Sequence, residues 1–100
     1  MTPVKEVLLE ELHNVFPFLV ENNIFNIYVR DEIWYATRFS GDSFLEIVYD
    51  PYDGFFGRAK SKDALLFSEE DSDHLDYSFV KNIQKYIPEL LDNSSELAHA

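Results

Sequence analysis

The sequence predicts an α+β fold: an N-terminal helix, an antiparallel meander of four strands with a fifth as an open alternative, and a C-terminal helix, with both helices on one face of the sheet. Three observations carry this. Apolar residues recur at steps of three or four at both ends of the chain. Between them, β-branched and aromatic runs are cut by turn residues. The turns are too short for a parallel return, which takes a crossover of about a dozen residues or more.

The elements follow in order. Thr2-Pro3 reads as a hydroxyl cap followed by proline at the first helical position. Val4, Leu8, Leu12, Val15 and Leu19 then make an apolar stripe, widened by Val7 and Phe16. Pro17 ends or kinks this helix near Phe16. Phe18 to Glu21 adds a turn, and Asn22-Asn23 reads as a left-handed stop. Strands are expected at 24–30, 33–40, 43–49 and 55–60, joined by Asp31-Glu32, Gly41-Asp42 and Asp50-Pro51-Tyr52-Asp53-Gly54. The stretch 62–67 fits either an edge strand or a connector. A second stripe, Leu75, Phe79, Val80, Ile83, Tyr86 and Ile87, marks the last helix, with Asp73 or Asp76 as its cap. Pro88 ends it, and Leu90 and Leu91 form a final docked turn. A chain of 100 residues makes one domain. Its expected extent is 1–92, with a frayed tail at 93–100.

Composition excludes several functions. A hydrophobic fraction of 46% excludes a wholly disordered chain. With no cysteine there is no disulfide, thiolate metal site or cysteine nucleophile, which fits a reducing cytoplasm. Acids break the N-terminal apolar residues, so no signal-peptide core is read there, and no apolar run reaches the ~20 residues of a membrane span. Nineteen acids against eight bases give a net charge of -11, which disfavours direct binding to nucleic acid or to an anionic membrane. The same charge steers a basic protein toward the chain.

Catalytic and metal motifs are not found. There is no G-x-S-x-G elbow and no glycine-rich phosphate loop. His13, His74 and His99 stand without a recognisable nucleophile. Asp50 and Asp53 have the spacing of a turn more than that of paired catalytic carboxylates. Asp71, Asp73, His74 and Asp76 alternate like calcium ligands, but the sixth and twelfth positions of that loop are Asp76 and Asn82 instead of glycine and glutamate. The expectation is a protein with no cofactor and no enzymatic activity.

Two features point to protein binding. Six acids, Asp63, Glu69, Glu70, Asp71, Asp73 and Asp76, stand together with no base among them. Either they form a solvated face or they match a basic partner. The second feature is an aromatic surplus. On the second strand Ile33, Tyr35 and Phe39 share one face while Trp34 points the other way. If the helices cover one face, rings remain on the other, where they pack under a loop, join a homodimer or meet another protein. The expected partner-binding residues are the acid run together with Asp50, Tyr52 and Asp53.

An acidic chain opens with an amphipathic helix ending in Phe16-Pro17-Phe18-Leu19-Val20-Glu21. It continues through a strand with Leu45-Glu46-Ile47-Val48-Tyr49-Asp50 and closes with a helix. Over residues 4 to 90 this layout resembles the small bacterial immunity proteins that accompany polymorphic toxins, including those of contact-dependent growth inhibition systems. The resemblance is one of layout, and no residue role is carried by it. It implies a cytoplasmic protein that binds and neutralises one cognate toxin domain, many of which are basic nucleases, by presenting carboxylates where phosphates would sit. The alternative is a phage or plasmid mimic of nucleic acid that inhibits a host DNA-binding protein. That needs acids spaced along one face, whereas here they cluster in one segment.

Overall fold

The computed structural model describes residues 3–70 and 72–92, so the cap at Thr2, Asp71, His99 and the tail expected at 93–100 lie outside the described residues. Helix α1 spans Val4–Val15 and α2 spans Pro17–Glu21. Strands β1 (Asn26–Arg30), β2 (Ile33–Ser40), β3 (Ser43–Asp50), β4 (Gly54–Lys60) and β5 (Leu65–Phe67) follow. Helix α3 (Tyr77–Tyr86) and a 3₁₀ turn at Pro88–Leu91 close the described chain. The sheet is an antiparallel meander in the order β1-β2-β3-β4-β5. The stretch at 62–67 is therefore strand at its end, after a turn in which the Ser61 hydroxyl accepts from the Asp63 and Ala64 amides.

The prolines act as expected. Neither Phe16 nor Ile87 stays helical (φ -133° and -138°), and each sits directly before a proline. Pro3 differs by one residue: it is the cap itself, and its carbonyl accepts from Glu6 and Val7. After α2, Asn23 takes a left-handed φ of 54°. The Ile24 amide donates to Leu19 and the Asn23 amide to Val20, the two bonds of a Schellman stop. These bonds hold Ile24 in the stop, and β1 starts only at Asn26. Asp31 and Glu32 both have positive φ, as a two-residue hairpin turn requires, although neither is glycine.

Strand alternation divides the sheet. Ala36, Leu45, Ile47, Phe55 and Ala59 point to one face. There they join Leu8, Leu12, Phe16 and Leu19 from the N-terminal helices and Phe79, Val80, Ile83, Ile87 and Leu90 from the C-terminal segment in one buried cluster. The helices thus cover one face only. Gly57 lies directly under Phe79, where a Cβ would come within 2.5 Å of the ring. Arg38 is buried on this face and donates to the Leu90 carbonyl at 3.0 Å, while the Ser43 hydroxyl donates to Glu89 at 2.7 Å. These two bonds fasten the final turn to β2 and β3. Tyr86, expected in the buried stripe, is exposed, because Ile87 takes the core position as the helix ends.

Candidate functional site

Two surfaces stand out, the acidic segment between β5 and α3 and the uncovered face of the sheet. The acidic segment begins where the Ser68 amide donates to Gly57 and the Ser68 hydroxyl accepts from the Gly57 amide. Pairing with β4 resumes at Ser72, whose carbonyl accepts from Phe55 at 2.7 Å. Pairing with β4 is thus interrupted between Ser68 and Ser72. Glu69 and Glu70 are exposed there, and Asp73 is exposed just past Ser72. The pairing at Ser72 is possible because position 54 is glycine. Its φ is 107°, and any Cβ would run into the Ser72 backbone.

Beyond Ser72 the chain is held by two carboxylates. Glu11, buried on α1, accepts from the Leu75 amide at 2.9 Å and pairs with His74 Nδ1 at 2.8 Å. The hydrogen bond and charge of Glu11 raise the pKa of the exposed His74 ring above its usual value. Asp76 caps α3: its carboxylate accepts from the amides of Phe79 and Glu69 and from the Ser78 hydroxyl. Partial burial pushes the Asp76 pKa up, but those three bonds outweigh it and hold the group below its ordinary value. Of the two roles expected for Asp76, helix cap and partner contact, its carboxylate fills the first.

The remaining expected residues divide between the two ends of the meander. The β3–β4 turn carries Tyr52 and Asp53. Asp50 accepts from the Tyr52 amide at 2.9 Å, and the Tyr52 ring is 89% exposed, fully available to another molecule. Because Ser72 pairs with Phe55, this turn and the acidic segment lie at the same end of the sheet. Asp63, in the β4–β5 turn, lies at the opposite end. Asp50, Tyr52, Asp53, Glu69, Glu70 and Asp73 therefore lie at one end of the sheet. Among the described residues no group of three or more His, Asp or Glu side chains is placed to hold a metal.

The uncovered face carries Tyr28, Tyr35, Phe39, Phe44, Phe56 and Phe67. Tyr28 and Tyr35 stack at 5.0 Å across β1 and β2. Phe39 meets Phe44, and Phe56 meets Phe67, each at about 6 Å. Arg58 lies over the Phe44 ring at 5.0 Å and Arg30 over both tyrosines at 5.9 Å. A shallow depression of about 360 Å³ opens between Tyr28, Phe39, Phe44, Glu46 and Arg58. Of the aromatic surplus, which also includes Phe44 and Phe56, alternation within a single strand assigns a face only to the β2 residues. Extending the alternation through the register of β3, β4 and β5 would have found the rest.

Comparison of the chain with protein-family models, curated proteins and solved structures gives no match. No helix among the described residues is long and apolar enough to cross a membrane.

Proposed function

We propose that this protein is an immunity-type inhibitor: a cytoplasmic binding protein without enzymatic activity that neutralises a basic toxin domain, most simply a nuclease, by seating its acidic end in the toxin's cleft. The observation that supports this reading is the convergence of the β3–β4 turn and the acidic segment at one end of the sheet. Carboxylates gathered on one end of the sheet suit a surface lined with lysine and arginine, because opposed charge sets both specificity and encounter rate. Tyr52 supplies an exposed amphipathic ring at this end, the kind of residue interfaces use as an anchor. A net charge of -11 speeds encounter with a basic partner.

The test begins with a tagged pull-down from the native cell at moderate salt, followed by an activity assay on the retained protein. The expected result is one basic toxin domain whose activity falls as this protein is added. Changing Glu69→Gln, Glu70→Gln and Asp73→Asn together is expected to weaken that complex by about tenfold or more and to flatten its salt dependence. An unchanged affinity would remove the acidic end as the interface. Asp76 and Glu11 are kept in this variant because their carboxylates hold the fold.

A further inference from the structure

We propose that the uncovered face of the sheet is a self-association surface, on which a second copy of this chain packs face to face about a two-fold axis running along the strands between β3 and β4. This surface is separate from the acidic end, and the inference does not rest on the toxin-binding reading.

Charge sorting is the first argument. Among the described strand residues, alternation puts only two acids, Glu46 and Asp50, on this face, and Asp50 is turned toward the Tyr52 amide at its margin. Three of the eight bases, Arg30, Arg58 and Lys60, stand on it. A basic partner that suits the acidic end finds no complement here. The composition is instead that of an interface core, rich in rings and arginine and poor in acids. Phe39 is 74% exposed and Leu65 and Phe67 are each 54% exposed, so the apolar surface is not hidden by the described chain.

The second argument is self-complementarity, which a two-fold interface demands: if residue i meets j, then j meets i. Glu46 and Arg58 are direct cross-strand partners on β3 and β4. An axis midway between those strands lays each copy's β3 over the other's β4 at the same height. Glu46 then faces the second copy's Arg58, and Arg58 its Glu46. On either side Val48 faces Phe56, and Phe44 faces Lys60, giving an apolar contact and a cation–ring contact, each made twice. Within one chain the Glu46–Arg58 contact is long, 3.5 Å, so both groups keep capacity for a further partner. Face-to-face packing of two sheets at ~10 Å is an ordinary arrangement. With this axis β1 of each copy extends past the other's β5. The overlap is therefore on the order of 19 Å by 25 Å from strand spacing and rise, or roughly 950 Å² for the pair, the size of a weak, reversible interface.

Sedimentation equilibrium of the intact chain tests this. The expected result is a reversible monomer–dimer equilibrium. Glu46→Arg and Arg58→Glu, each alone, place like charges opposite one another and are expected to raise the dissociation constant at least about tenfold. Mixing the two single variants in equal amounts restores both cross pairs, so a heterodimer as tight as the parent is expected. Circular dichroism of each variant separates lost association from lost folding, and Phe39→Ser, at an exposed position, supplies a second weakening variant. A parent that stays monomeric over the accessible concentration range overturns the proposal and leaves the face to a different protein. A folded mixture that fails to associate overturns the two-fold register.

Discussion

On β2, Ala36 and Arg38 are sealed under the helices, while Tyr35 and Phe39 stand on the opposite side. The same alternation runs through β3 and β4. The covered face combines a row of rings at one end, Trp34, Tyr49 and Phe55, with aliphatic and small residues, down to Gly57 and Ala59, and the small residues let Phe79 sit directly against the strand. The open face is built from rings that pair across strands and shelter one another. A sheet with one solvated side ordinarily carries polar residues there. The difference teaches that apolar content and core membership are separate properties: nearly half the chain is hydrophobic, yet the largest rings of the sheet, apart from Trp34, Tyr49 and Phe55, lie outside the core.

Substituting one ring on each face gives the sharpest contrast. Phe79→Ala is expected to cost about 3–5 kcal/mol by chemical denaturation, because it opens a cavity over Gly57. Phe39→Ala is expected to stay within about 0.5 kcal/mol. Comparable losses at both positions would break the distinction between the faces. Gly57→Ala should cost about 1–3 kcal/mol, since its Cβ enters the Phe79 ring and both sides of the contact are packed. A neutral outcome would mean that α3 can lift from β4.

Two further tests concern the seam between α1 and the acidic segment. Glu11→Leu keeps an apolar stem but leaves the buried Leu75 amide unpaired. A loss of about 1–3 kcal/mol is expected in the same assay. The smallest effect is that of pH. The His74 pKa is raised in the folded chain, so the stabilisation from its pairing with Glu11 is complete below about 6.5 and fades as pH rises through the folded value. The denaturation midpoint should drift downward over that window, and His74→Gln should remove the drift. A drift that survives the substitution would assign it to another group.

Much of the fold was legible because local rules governed it. Pro17 and Pro88 stop helices by removing an amide and restricting the residue before them, whatever surrounds them. Asn23 supplies a left-handed residue where α2 must end. The expected opposition of Trp34 to Ile33, Tyr35 and Phe39 is geometry of a single strand. The candidate site was legible only in composition. Acids adjacent in sequence look equivalent, yet Asp76 spends its carboxylate on three internal donors while Asp73 remains exposed. Asp63 sits at the far end of the sheet from its supposed companions, because each reversal of the meander changes ends.

The sequence alone set the two helices, four strands with antiparallel neighbours and the excess of acid, since these depend on periodicity, on backbone restrictions of single residues and on counting charge. The fifth strand and the strand order came from the fold. The tertiary structure decided which groups a carboxylate or ring finally meets. Glu11 stands inside the apolar stripe of α1, beside Val7, Leu8 and Val15, and its burial is tolerated because the backbone amide of Leu75 arrives beside it from 64 residues away. Arg38 is buried because the carbonyl of Leu90 offers it a partner across the end of the core. Such pairings join distant parts of the chain, and whether a polar group is cheap or costly to bury depends on a partner that no local pattern can name.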